Sequence, residues 1–180
     1  ENPKRGSITV FKNVLAPNGE TEVNDNQEFN VSLDGGDTQQ IKQGEPYTYE
    51  NLPPGTYTIA EEEDSDYEFG SFSLEDEDEG TEDLQVSLEA GEELELTITN
   101  NQLPGTLTVK KIVKHPGGGE ETAGDFSFTV TSNGEDGEEE EYGFEEEENP
   151  LRGGAVIEVD PGTYTVTEDF PPEGTYAISY

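Results

Sequence analysis

The side chains of this chain that could do chemistry are mostly carboxylates. Asp and Glu number 44 against 8 Lys and Arg, for a formal net charge of −36. The runs Glu75-Asp76-Glu77-Asp78-Glu79, Glu138 to Glu141 and Glu145 to Glu148 offer hard oxygen ligands of the kind that hold Ca2+ or Mg2+. With Asp64 and Asp66, the first run gives the candidate metal ligands Asp64, Asp66, Glu75, Asp76, Glu77, Asp78 and Glu79. No stretch fits an EF-hand loop, because with Gly80 as its glycine the closing ligand position falls on Val86. The other reading of the acid runs is a solvated face or a surface adapted to concentrated salt. No carboxylate pair can be singled out for glycosidase chemistry. Cys, Met and Trp are absent and there is one His, which removes disulfides, thiolate metal sites and a Cys nucleophile. So negative a field repels nucleic acid and anionic membranes and favours cations or basic partners. No cofactor is required.

Such charge with 28% hydrophobic residues would ordinarily mean disorder, but the apolar residues alternate. Ile8 and Val10 share a face with Lys12. Phe29, Val31 and Leu33 follow with the same period, as do Tyr47 with Tyr49, Tyr57 with Ile59, and Leu94, Leu96 and Ile98. The segments Phe69 to Leu74 and Leu84 to Leu88 are similar. Each run is short and bounded by Gly, Pro, Asn or Asp, and no run has a helical period. This pattern predicts an all-β chain of sandwich type. Alternation also puts Lys12, Glu61 and Asn100 on the apolar faces of their strands.

The second half repeats the first. Gly6-Ser7-Ile8-Thr9-Val10-Phe11-Lys12 matches Gly105-Thr106-Leu107-Thr108-Val109-Lys110-Lys111, and Pro54-Gly55-Thr56-Tyr57-Thr58-Ile59-Ala60-Glu61 matches Pro161-Gly162-Thr163-Tyr164-Thr165-Val166-Thr167-Glu168. The spacing between the two motifs is longer in the second copy, which marks an insertion, most simply the acidic stretch Glu138 to Glu148. Two tandem Ig-like or prealbumin-like β-sandwich domains are predicted, 1–102 and 103–180, joined by the short Pro-containing Asn101 to Pro104. The second reads as lacking its final strand, which leaves a sheet edge for a continuing chain or a neighbouring molecule to complete.

The Gly-x-(apolar)-Thr-(apolar)-x-Lys opening, Leu52-Pro53-Pro54-Gly55-Thr56-Tyr57 in the middle and Leu96-Thr97-Ile98-Thr99-Asn100 at the end resemble the Cna B-type, SpaA-like domains of surface adhesins and pilins. The resemblance spans nearly all of residues 6–100 and both available motifs of the second copy. It implies an intramolecular isopeptide bond between Lys12 and Asn100, assisted by Glu61. The chemistry is sound for buried groups: burial favours the neutral forms of an amine and a carboxylic acid, and a neutral amine can attack a carboxamide. Lys111 and Glu168 hold the corresponding places in the second copy, where no Asn follows. The plainer alternative leaves Lys12 at a strand end in water, Glu61 as the start of an acid run and Asn100 as part of a turn.

Asn30-Val31-Ser32 is a glycosylation sequon whose Asn30 should point outward. His115 reads as an exposed hairpin residue. No apolar run is long enough to span a bilayer. The expected function is structural rather than enzymatic: a module of an extracellular, cell-surface fibre, pilus-like filament or adhesin stalk. Its expected partners are copies of itself or other fibre subunits, with a donated strand as one mode of contact. Two alternatives remain, a ligand-binding adhesin module for a host or matrix protein and an accessory domain of a larger extracellular hydrolase.

Overall fold

The computed structural model describes residues 3–74, 77–78, 83–115, 118–133 and 137–169, with backbone alone at 77–78 and 83–84. Apart from one 3-10 turn at Ala123–Asp125, every regular element among the described residues is a strand. The backbone divides into two units, Glu1–Leu103 and Pro104–Tyr180.

The first unit contains β1 (Gly6–Leu15), β2 (Phe29–Leu33), β3 (Gln39–Ile41), β4 (Tyr47–Leu52), β5 (Gly55–Glu61), β6 (Tyr67–Leu74), β7 (Glu77–Asp78), β8 (Asp83–Leu88) and β9 (Glu93–Gln102). They form two sheets, in the orders β4-β1-β9-β6-β7 and β3-β2-β5-β8. β1 alternates buried and half-buried along its whole length, as the sequence pattern requires. Its inward residues Ile8, Val10 and Val14 are fully buried against Ile59, Phe72, Leu96 and Ile98. Each such aliphatic side chain contributes about 1.5–3 kcal/mol through removal from water.

Most neighbours are antiparallel, but β1 and β9 run parallel, in register from Ser7 opposite Glu93 to Leu15 opposite Asn101. The strand that opens the unit therefore lies beside the strand that closes it. A Cβ on Gly6 would sit 2.2 Å from the Glu92 carbonyl oxygen, which accepts a hydrogen bond from the Ser7 amide at 3.0 Å. That approach admits only glycine.

The second unit contains β10 (Gly105–Ile112), β11 (Ser127–Ser132), β12 (Glu139–Gly143), β13 (Glu145–Glu146), β14 (Arg152–Val159) and β15 (Tyr164–Asp169), in the sheets β10-β14-β13 and β12-β11-β15. The acid-rich stretch is thus not only loop: Glu139 to Glu141 pair with Val130 and its neighbours on β11. Among the described residues nothing pairs with β10 on the side that β9 occupies in the first unit. The inward residues Leu107 and Val109 are only partly buried, while the core centres on Phe126, Phe128, Val130 and Phe144. The repeat carries local detail as well as pattern. Tyr57 donates its hydroxyl to the Pro53 carbonyl at 2.6 Å, and Tyr164 does the same to Asp160 at 2.7 Å.

Candidate functional site

Lys12, Glu61 and Asn100 come from three strands and meet inside the first sandwich. Lys12 projects inward from β1, Asn100 from the adjacent β9, and Glu61 from β5 on the opposite sheet. Lys12 Nζ donates to Glu61 Oε2 at 2.8 Å, and Asn100 Nδ2 donates to Glu61 Oε1 at 2.5 Å. The side chains of Lys12 and Glu61 are 0% and 5% exposed, so the pair is nearly dry. Asn100 Oδ1 is buried with no hydrogen-bond partner among the described residues. Burial lowers the Lys12 ammonium to about 8 against the opposing attraction of Glu61. Lys12 does not lie in water, nor Asn100 in an exposed turn: the two are the buried polar residues among those described.

Sequence reasoning missed an aromatic wall. Lys12 Nζ lies over the Phe29 ring, 4.1 Å from its centroid. A ring face stabilises a cation by roughly 0.5–2 kcal/mol and keeps water from the amine. The repeat could have shown this residue, since Lys111 Nζ lies over Phe126 at 4.0 Å in the second unit. There Lys111 pairs with Glu168 across the sandwich, but the two side chains are 15% and 17% exposed. No amide side chain meets that pair among the described residues.

A cleft of about 410 Å3 opens beside the triad, lined by Glu61, Glu62, Glu63, Asp64, Tyr67, Phe69 and Asn100. Near it lies a second polar group that the sequence did not suggest. Asp25 accepts from the Tyr67 hydroxyl at 2.7 Å and from Gln102 Nε2 at 2.9 Å. Burial alone would raise the Asp25 carboxyl, but these donors and the Gln27 amide outweigh it and hold it below its usual range. Tyr67 is pushed up, first by burial and then by Asp25.

Of the candidate metal ligands, Asp64 and Asp66 are the two whose side chains are described. Asp64 is occupied by the Gln27 side chain at 3.0 Å and the Asp66 amide at 3.0 Å. No group of three His, Cys, Asp or Glu suited to a metal ion occurs among the described residues. Glu75, Asp76 and Glu79 lie outside those residues, and Glu77 and Asp78 are described by backbone alone. Asn30 is half-buried, and its Nδ2, the atom a glycan would use, donates to Glu62 Oε2 at 2.9 Å. His115 is not the exposed hairpin residue expected: it is half-buried, with Nε2 2.8 Å from the Glu121 carbonyl oxygen, which ties the two ends of its loop.

Comparison with known proteins accords with this architecture. Residues 8–102 match the family model described as a domain of unknown function, DUF5979. The chain belongs to that family. Residues 102–179 match a prealbumin-like fold domain. The DUF5979 chain thus carries tandem β-sandwiches, the second of which matches the prealbumin-like fold that its motifs suggested. No curated protein matches it. Among solved structures, the Bacillus anthracis TIE protein is similar with a TM-score of 0.55 at 22% identity, over 98% of this chain and 30% of that one. A streptococcal ancillary pilin matches with a TM-score of 0.39 at 16% identity, over 97% of this chain and 56% of that one. The major pilin T3.2 of Streptococcus pyogenes gives 0.29 at 22%, over 55% and 45%. The chain therefore spans under a third of the TIE protein's length, and the likeness to it is one of fold.

Proposed function

We propose that this DUF5979 chain is a structural module of an extracellular, cell-surface fibre or adhesin stalk, locked by an isopeptide bond between Lys12 and Asn100. The observation that carries the reading is the dry contact of Lys12, Glu61 and Asn100. Transfer of one proton across the 2.8 Å bond from Lys12 to Glu61 gives an amine and a carboxylic acid. The amine nitrogen attacks Cγ of Asn100 while the Glu61 acid polarises the amide oxygen. That polarisation needs the Asn100 amide turned by half a rotation, so that Oδ1 faces Glu61 in place of Nδ2, and the same turn gives the orphaned oxygen a partner. The C–N bond to Nδ2 breaks, a proton from the former amine passes through Glu61 to that nitrogen, and ammonia departs by the neighbouring cleft. One ammonia is lost and the side chains are consumed, so the chemistry is maturation and not turnover.

The parallel β1 and β9 give such a bond its mechanical sense. Tension applied at Gly6 and at Gln102 pulls the two strands past each other in shear, along their whole hydrogen-bonded length. A covalent tie from Lys12 to Asn100 would carry that tension past the rest of the sandwich. Intact mass tests the reading: a mature chain one ammonia lighter than its sequence is expected, reverting to full mass in Lys12→Ala, Glu61→Ala and Asn100→Ala. Full mass in the unaltered chain would end it.

Two finer elements belong to the same reading. The side of β10 that has no partner among the described residues suits a further strand, from a continuing chain or from a neighbouring fibre subunit. The surface charge suits cations, with Ca2+ at the acidic run Glu75 to Glu79 as its specific form. At fixed ionic strength a chelator then lowers the melting temperature, whereas an unchanged value leaves general screening alone.

A further inference from the structure

We propose that the outward face of β10 and β14 is a contact surface for a second copy of this chain, which it engages through that copy's acid-rich β12. The antiparallel register builds the face row by row. Thr108 lies beside Val156, Lys110 beside Gly154, and Ile112 beside Arg152. Lys114 follows just beyond the end of β10. Three of the chain's eight cations are thereby gathered at one place in a molecule of net charge −36.

Two further observations distinguish this face from an ordinary solvated strand pair. First, its apolar residues are unusually open: Val156 is 71% exposed and Ile112 57%. Second, its cations are not already spent. Lys12, Lys42 and Lys111 are ion-paired, whereas Lys110, Lys114 and Arg152 have no ion pair among the described residues. Two carboxylates share the face, Glu145 across Gly154 and Glu158 beside Thr106, and neither reaches a cation within ion-pair distance. The corresponding part of the first unit is chemically different. There Thr9 and Thr48 satisfy each other at 3.0 Å, with no cation in the row.

The complement is present on the same molecule. Glu138 to Glu141 are all exposed, and among the described residues β12 is an edge strand that pairs only with β11. Arginine is enriched among the residues that dominate protein contacts, and carboxylates are its bidentate partners. A patch on one copy meeting a different patch on the next is a heterologous contact, which extends end to end instead of closing on a dimer. The net repulsion of two such chains acts at long range and is screened within ~8 Å at about 0.15 M salt, leaving the short contacts to decide.

This proposal rests on the fibre reading, yet the two fail separately, because the missing ammonia reports only on the cross-link. Sedimentation velocity of the whole chain over a concentration series at about 0.15 M salt is the test. Concentration-dependent association is expected, weakened at least about tenfold in Lys110→Glu/Arg152→Glu. That variant should associate again when mixed with a Glu139→Lys/Glu141→Lys chain. Ile112→Ser/Val156→Ser should weaken association without altering charge, and unchanged thermal melts of each variant would show the fold intact. A chain monomeric at every concentration overturns the proposal, as does association indifferent to these substitutions. Capture of soluble polyglutamate by the patch without self-association would also overturn it.

Discussion

The two units start from nearly the same strand motifs and reach different degrees of closure. In the first, β1 has β4 on one side and β9 on the other, and its inward Ile8, Val10 and Val14 are fully buried. In the second, β10 has β14 on one side and no described partner on the other, and Leu107 and Val109 stay partly exposed. The same lysine and glutamate consequently live in different surroundings. Lys12 with Glu61 is sealed from water, while Lys111 with Glu168 is not. A polar pair acquires unusual chemistry through the strand that covers it, more than through the identity of its members.

The largest effect that should divide the units is removal of the proposed cross-link. Asn100→Ala is expected to destabilise the first unit by about 4–5 kcal/mol, the loop-closure value for a tie over so long a stretch of chain. The second unit should be untouched. Hydrogen exchange resolved by unit measures both, and equal loss in the two would break the comparison.

A smaller contrast lies in the glycines that open each unit. Gly6→Ala drives a methyl group against the Glu92 carbonyl and should cost about 1–3 kcal/mol, as overpacking does. A Cβ on Gly105 meets only the Val159 carbonyl oxygen at 3.7 Å, so Gly105→Ala should change stability by no more than about 0.5 kcal/mol. Chemical denaturation of the two variants compares them directly. A tolerated Gly6→Ala would mean that β9 does not sit where the parallel register has it.

The pH dependence of the condensation sharpens the contrast further. The reacting pair must hold one shared proton, and the Lys12 amine gives up its proton above about 8. Bond formation should therefore slow by about tenfold per unit above that pH, and it should slow again in acid, where a second proton on the pair leaves no neutral amine. Mass spectrometry after dilution of unlinked chain from denaturant follows the reaction. A rate that keeps rising past pH 9 would remove Glu61 as the acid. In a chain that cannot form the bond, the lowered folded value acts the other way on stability. The unfolded chain binds more protons between about 8 and 10.5, so stability rises with pH across that window.

The smallest effect concerns Asp25, whose carboxyl is held below its usual range by Tyr67, Gln27 and Gln102. Its contribution is present above the ordinary carboxylate pKa and is lost as pH falls through the lowered folded value. Asp25→Asn should therefore flatten the acid limb of the first unit's stability by roughly 1 kcal/mol, the net worth of one hydrogen bond. An unchanged acid melt would show that the group is idle.

The sequence by itself determined the strand-rich architecture, the duplication and the inward direction of Lys12, Glu61 and Asn100. It could do so because side-chain direction along a strand follows a period of two whatever the strand packs against. Turn chemistry is local in the same way, and the Pro-Gly-Thr-Tyr motif makes its tyrosine-to-carbonyl bond in both units. Only the tertiary structure decided that β9 lies parallel to β1 and that Phe29 roofs the lysine. It also decided that Asp25 reaches Tyr67 and Gln102, and that Ile112 and Val156 stay open beside cations with no ion pair among the described residues. Those relations join residues far apart along the chain, and alternation is silent about which strand becomes whose neighbour. Pairing is settled by the free energy of closing the whole sandwich, a quantity that no single segment contains.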